Sequence, residues 1–323
     1  MSVELAPICL STYARLQHLQ QTIAALQKNA LAKQSELYVC SDGPKIGDEE
    51  KVAAVRSYLR AIDGFKAVHI IERESNSRTA NNRGGLRMLL DRFGKVIYLE
   101  EDVVTAPYFL QFMNDALVRY QEEKKIFSIT GWCPKFKETL PLPNGSIFFV
   151  PRFCGWGLGI WKDRFDKIKA ISADDVESLK KTPAALKRIR EQMGSDLMPM
   201  IEAEALGNIN ALDVRCCYYQ AMTGELTVYP YPALTRNIGL DGTGVHCGTE
   251  LSEINGEFSE VFTYEYSFPE KVVVNKKVAK VYAEAFVSSA PKGKLLAKIK
   301  RALLNKIRRI FFRRQNNIRE SGH

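Results

Sequence analysis

Through its first 130 residues the chain alternates short apolar runs with longer amphipathic stretches. Runs of strand length fall at 6–10, 36–40, 67–71, 96–99 and 126–130. Between them, 15–29 sets Leu16, Leu19, Ile23 and Leu26 at helical spacing, and 49–62 and 82–93 also read as helices. Strand–helix alternation of this kind predicts a mostly parallel sheet with right-handed crossovers. Beyond Gly131 the pattern loosens. A turn-rich loop at 140–145 precedes a strand at 147–150, and the glycine-rich turn Gly155-Trp156-Gly157-Leu158-Gly159 precedes a helix at 161–170. Residues 182–224 read as helical with breaks near Gly194 and Gly207. A short strand at 227–231, a glycine-rich loop at 237–248 and an alternating strand at 261–268 follow. No internal repeat interrupts this order. The chain therefore divides into halves at 1–130 and 131–290 and a tail at 291–323.

Charge changes the picture only in that tail. The formal net charge is +9, but 11 basic residues and one acid, Glu320, lie from Lys292 onward, leaving 35 basic against 36 acidic residues before it. A neutral body offers no extended positive groove, so no nucleic-acid partner is expected. The tail sets Leu295, Leu296, Ile299, Leu303, Ile307, Ile310 and Phe311 on one helical face, with ten Lys/Arg and no acid across 292–314. This predicts a basic amphipathic helix lying on an anionic membrane surface. With 46% hydrophobic residues in 323, the body can bury a sizeable core. Seven cysteines without a CxxC pair argue against zinc or redox motifs and for reduced thiols. No basic leader with a long apolar core and no run of 18 apolar residues occurs. The expected location is cytoplasmic, peripheral to the cytoplasmic membrane face.

Candidate chemistry gathers where strands end. The fourth run ends abruptly in Glu100, Glu101 and Asp102. A solvated acidic turn is one reading. The other is a carboxylate cluster aimed into the crevice beyond the strand, able to hold Mg2+ or Mn2+ and, through it, phosphates. Ser11, Thr12, Tyr13 and Arg15 follow the first strand, Asp42 the second and Arg73 the third. Tyr13 can stack on a base, Asp42 can accept from a uracil N–H or a ribose hydroxyl, and Arg15 or Arg73 can meet phosphate oxygens. Each alone is an ordinary loop residue; four consecutive strand ends together point to a nucleotide site. Neither GxGxxG after the first strand nor GxxxxGK[ST] occurs, which disfavours dinucleotide and P-loop folds. The loop at 237–248 adds His246 as a contact to metal or diphosphate, with Arg236 before it a second phosphate candidate. Trp156 is either core or a platform for a sugar ring.

PICLSTYARLQHLQQTIAAL (7–26) and CSDGPK (40–45) resemble the opening strands of family 2-type glycosyltransferases. YLEEDVVTAPYFLQFMNDAL (98–117), FCGWGLGIWKDRF (153–165) and NALDVRCCYYQ (210–220) are similar to the metal motif, the glycine–tryptophan segment and the base-bearing helix start of the Golgi N-acetylglucosaminyltransferases and their bacterial relatives. The resemblance spans about residues 5–250. It implies a GT-A fold, an α/β architecture with a mostly parallel central sheet flanked by helices. It also implies a UDP-sugar donor, a divalent ion, Mn2+ or Mg2+, at Asp102, and Asp213 as catalytic base in an inverting transfer. The implied acceptor is a lipid-linked or surface-polysaccharide glycan. Two positions depart from the pattern: a glutamate stands where the first acid of the metal motif is usual, and Leu212 where an aromatic commonly precedes the base. The rival readings are a sugar nucleotidyltransferase, which normally carries a Gly-rich basic loop after its first strand, and a non-catalytic sugar- or membrane-binding protein on the same fold.

Overall fold

The computed structural model describes residues 4–138, 140, 142–242, 254–259 and 266–286. The tail at 291–323, most of the strand expected at 261–268 and His246 lie outside them. In chain order the elements are β1 (Ile8–Thr12), α1 (Leu16–Gln27), β2 (Glu36–Ser41), α2 (Glu49–Leu59), β3 (Ala67–Glu72) and α3 (Arg78–Phe93). Next come β4 (Lys95–Glu100), β5 (Val103–Thr105), α4 (Phe109–Arg119), β6 (Ile126–Thr130), β7 (Ser146–Val150), β8 (Leu158–Trp161) and α5 (Lys162–Phe165). Then follow α6 (Ala173–Lys180), α7 (Pro183–Arg188), α8 (Leu197–Ala205), α9 (Leu212–Thr223), β9 (Leu226–Tyr231), β10 (Thr235–Asn237) and α10 (Lys276–Glu284).

Eight strands form one sheet in the order β3-β2-β1-β4-β8-β6-β9-β7, and β10 pairs with β5 in a second, two-stranded sheet. In the large sheet only β7 and β8 run against the others. The expected mixed α/β architecture with a helix-flanked, mostly parallel sheet is therefore present. β6 joins β8 and β9, so the two halves read from the sequence share one sheet.

The period-2 alternation of each strand sorts its side chains between two cores. Ile8 and Leu10 of β1 face α1, α2 and α4 through Leu19, Ile23, Leu59 and Phe109. Cys9 and, on β4, Val96 and Tyr98 face α3 and the helices α6–α9 through Leu86, Leu90, Leu179 and Val214. A third cluster packs α10, by Val278 and Tyr282, on β7 and β9. Each buried Leu, Ile or Phe contributes about 1.5–3 kcal/mol by burial. Helix α3 starts and stops where its caps direct: Ser77 caps it and Gly94, at φ 74°, ends it. The breaks expected near Gly194 and Gly207 occur, both at positive φ.

The segment expected to be a helix at 161–170 is mostly not one. Leu158–Trp161 is strand β8, and only Lys162–Phe165 is helical. The glycines disguised that strand. A Cβ at Gly159 would come within 2.7 Å of Met113 Cε, so glycine inside the strand lets Met113 of α4 pack close against it.

Candidate functional site

Strands β1 to β4 are parallel neighbours, so their carboxyl ends share one edge. Two asparagines and an aspartate bind that edge together. Asn81 of α3 donates to the carbonyls of Cys40 (2.9 Å) and Thr12 (3.4 Å). Asp42 accepts from the Ser77 N–H at 2.9 Å and from Asn76 at 3.1 Å, which pins the start of α3 to the tip of β2.

The three acids after β4 have different surroundings. Glu101 is buried and fully engaged: it accepts from Thr12 Oγ1 (2.6 Å), the Tyr13 N–H (2.5 Å) and Arg15 Nε (2.8 Å). It is the bracket that joins the tip of β1 to that of β4. Glu100 turns toward α3, accepting from Asn82 at 3.1 Å and from the Tyr98 hydroxyl at 3.3 Å. Burial, then the charges of Asp102 and Asp213, push its carboxyl up to about 7. Asp102 binds Arg15 through Oδ2, while its Oδ1 is buried without a partner. Burial works against the Arg15 charge, but Asp102 and Glu101 outweigh it and raise its pKa.

Across from this cluster, Asp213 in the first turn of α9 accepts from the Gly155 N–H at 3.3 Å. It is open to solvent, yet the protein crowded around it raises its pKa, against the lowering effect of that N–H bond. A Cβ at Gly155 would come within 3.2 Å of the carboxylate. The backbone of 155–157 lies over the β6 tip: Trp156 O accepts from Thr235 Oγ1 (2.9 Å) and Gly157 O from the Gly131 N–H (2.7 Å). Trp156 is half-buried, edge-on to Trp132 at 5.0 Å.

After β10 the chain crosses the acids. The Ile238 N–H donates to Asp102 O at 2.8 Å, and His18 reaches Asp241 at 3.1 Å. Gly239 passes so close that a Cβ would overlap Asp102 Oδ2. Arg236 is exposed on β10 and lies over the Phe258 ring at 4.9 Å.

The structure thus brings together Thr12, Arg15, Glu100, Glu101, Asp102 and Asp213. Asp42 is 3% exposed with both oxygens bonded, so a base would have to displace one of those bonds. Tyr13 donates to Asp48 (2.9 Å) and accepts from the Lys45 N–H (2.9 Å), and Lys45 Nζ lies 5.5 Å over its ring. Arg73 Nε stands 3.7 Å from Asp42 Oδ1, an ion pair too long for a hydrogen bond. Arg78 and Asn82 escape sequence reading, although Arg78 acts electrostatically on both Glu100 and Asp213. The only signal they left is the polar run Ser77-Arg78-Thr79-Ala80-Asn81-Asn82 opening a helix just after a strand.

The residues fit a divalent cation in part. The unpartnered Oδ1 of Asp102 and the mutual repulsion of Glu100, Asp102 and Asp213 favour added positive charge. Among the described residues no three His, Cys, Asp or Glu side chains form a ready metal cage. A cation here would take its other ligands from phosphate oxygens and water.

No family model matches the chain, and no curated protein does. Similar solved structures include S. aureus TarS, 13% identical over 73% of this chain and 37% of that one, with TM-score 0.39. The 1–349 fragment of S. aureus TarS in complex with UDP is 14% identical over 43% of this chain and 38% of that one, with TM-score 0.28. An active-site mutant of LgtC is 14% identical over 69% of this chain and 72% of that one, with TM-score 0.37. The match spans well under half of the TarS chain, and likeness of this degree identifies no shared substrate or reaction.

Proposed function

We propose that this chain is a metal-dependent glycosyltransferase. It moves a sugar from a nucleotide-sugar, a UDP-sugar by its sequence resemblance, to a hydroxyl of a lipid-linked or surface-polysaccharide glycan. The observation that carries the reading is a pair of acids at one sheet edge: Asp102 with a free buried oxygen, and Asp213 held across from it by the Gly155 N–H.

In this reading Asp213 is the general base, its basicity raised by its surroundings. It accepts the proton of the acceptor hydroxyl. The freed oxygen bonds to the anomeric carbon, and the bond from that carbon to the diphosphate oxygen breaks, its electron pair leaving with the diphosphate. A single displacement of this kind inverts the anomeric centre. Arg15 and Arg73 hold fixed positive charge near the departing diphosphate, and the half-buried Trp156 offers its ring to the sugar. Mn2+ or Mg2+ at Asp102 supplies charge neutralisation of the leaving group when bound. Among the described residues no helix is long and apolar enough to cross a membrane. The basic, apolar-striped tail at 292–314 supports peripheral attachment to an anionic cytoplasmic surface, where a lipid-linked acceptor resides.

A thermal-shift screen of nucleotide-sugars tests the reading on wild type and Asp102→Ala, with Mn2+ or with a chelator. The expected result is a Mn2+-dependent upward shift with a UDP-sugar, absent from the variant. No shift with any nucleotide in either protein overturns it and leaves a non-catalytic binding protein.

A further inference from the structure

A cavity of about 350 Å³ opens between α3 and α9. Arg83, Arg87 and Arg215 line it, with Phe165, Ile168 and Leu212 as apolar floor. Two of the guanidiniums are compensated. Arg87 pairs with Asp166 and lies over the Phe165 ring at 4.9 Å. Arg215 meets Glu204 at 2.6 Å. Arg83 is half-buried and, among the described residues, has no carboxylate partner. It donates instead to Asn210 Oδ1 at 2.9 Å, a neutral acceptor that it shares with Arg215. Burial and the neighbouring Arg215 lower its pKa, outweighing the raising effect of Glu204, which is paired to Arg215. A half-buried cation beside a second cation is a costly arrangement that an anion would relieve.

Gly84 gives an independent indication. Glycine weakens a helix interior, and helices keep it where close packing leaves no room for a side chain. Its neighbour Gly85 is such a case, since a Cβ there would lie 2.5 Å from Cys40 Sγ. At Gly84 a Cβ would meet nothing within 4 Å. Packing does not call for glycine at this position; what the missing side chain leaves is room in the cavity. That cavity adjoins the candidate site along both helices. Leu212 precedes Asp213, and Asn82, bonded to Glu100, precedes Arg83.

We propose that this cavity is an acceptor subsite for an anionic substituent, a phosphate or carboxylate carried by the glycan that receives the sugar. The assignment rests on the transferase reading above. Guanidinium forks meet either anion through paired N–H groups, and the apolar floor suits the face of an adjoining sugar ring.

Calorimetry on the full chain separates the two claims. UDP with Mg2+ is titrated first. Inorganic phosphate and, separately, glucuronate are then titrated into UDP-saturated protein, so that phosphate sites for the donor are already filled. The expected result is saturable heat from at least one anion, about ten-fold weaker in Arg83→Gln. It should be abolished in Gly84→Leu, whose helix is intrinsically the better former. Tighter phosphate identifies a phosphate-bearing acceptor and tighter glucuronate a uronic acid, and either supports the subsite. With UDP bound, no saturable heat from either anion, or wild-type affinity in both variants, overturns the subsite and leaves the transferase reading standing. No heat from UDP itself overturns both.

Discussion

Helices α3 and α9 each border two neighbourhoods of opposite charge. Asn82 and Asp213 turn toward Glu100 and Asp102, while Arg83, Arg87 and Arg215 line the cavity. Adjacent residues of a helix lie about 100° apart, so a step of one or two residues is enough to separate the two. They differ in how charge is held. At the strand tips, backbone N–H groups, a hydroxyl and one guanidinium paired to two acids fix the carboxylates: Glu101 is bracketed by Thr12, Tyr13 and Arg15, and Asp213 by Gly155. On the helix faces, long guanidinium side chains reach across to one another's acceptors and stay partly solvated. Rigid acids suit a reaction that needs fixed geometry. Adaptable cations suit recognition of a group whose position varies.

The largest effect should come from Asp213. Asp213→Asn is expected to slow turnover roughly 10²–10⁴-fold, read as UDP release from the cognate donor, with donor affinity nearly unchanged. A loss smaller than ten-fold would remove Asp213 from the base role and break the rigid-acid half of the contrast. Next is Gly239→Ala, whose Cβ must push Asp102 aside. Wild type with ligand at a hundred times Kd should gain about 2.7 kcal/mol, and in the variant most of that Mn2+-dependent gain should vanish. A full thermal shift in the variant would mean that Asp102 takes no part in nucleotide binding.

Two smaller effects sharpen the comparison on consecutive residues. Gly85→Ala forces a methyl onto Cys40 Sγ, and urea unfolding should show a loss of about 1–3 kcal/mol. Gly84→Ala points into open space and should gain about 0.5–1 kcal/mol from helix propensity. Equal effects at the two positions would remove the distinction between packing glycine and cavity glycine.

Much of the sheet was legible because its signals are local. Ile8 and Leu10 on one face and Cys9 on the other follow a period of two, and Ile126–Thr130 falls where its apolar run lies. The acids after β4 also stand out in sequence. Their division of labour does not, because it depends on partners far away: Glu101 is occupied by Thr12 at the end of β1 and by Tyr13 and Arg15 in the turn before α1, 86–89 positions earlier. Asp42 shows the same limit. Its place after β2 was readable, but its bonds to Asn76 and Ser77 depend on how α3 docks. The arginine cavity was hidden by distance, Arg83 and Arg215 being 132 positions apart on α3 and α9. Helix α10 carried a signal that went unread, Asn275 as cap with Val278 and Tyr282 one turn apart.

Strand β8 has one more implication, for how such a scaffold can be altered. Because it runs against β4 and β6, it enters the sheet at the edge where they leave it. The turn that carries Gly155 and Trp156 therefore comes before its strand, while the tips of β1 to β4 come after theirs. Trp156 in that turn can be exchanged without shifting the pairing of Lys95 with Trp161 or of Ile8 with Ile97. A substitution series at half-buried Trp156, keeping buried Arg152 on Asp196, Gly155 against Asp213 and Gly157 beneath Thr235, would remodel that turn while β1 to β4 keep their register. This gives the fold one adjustable position beside the carboxylate of Asp213.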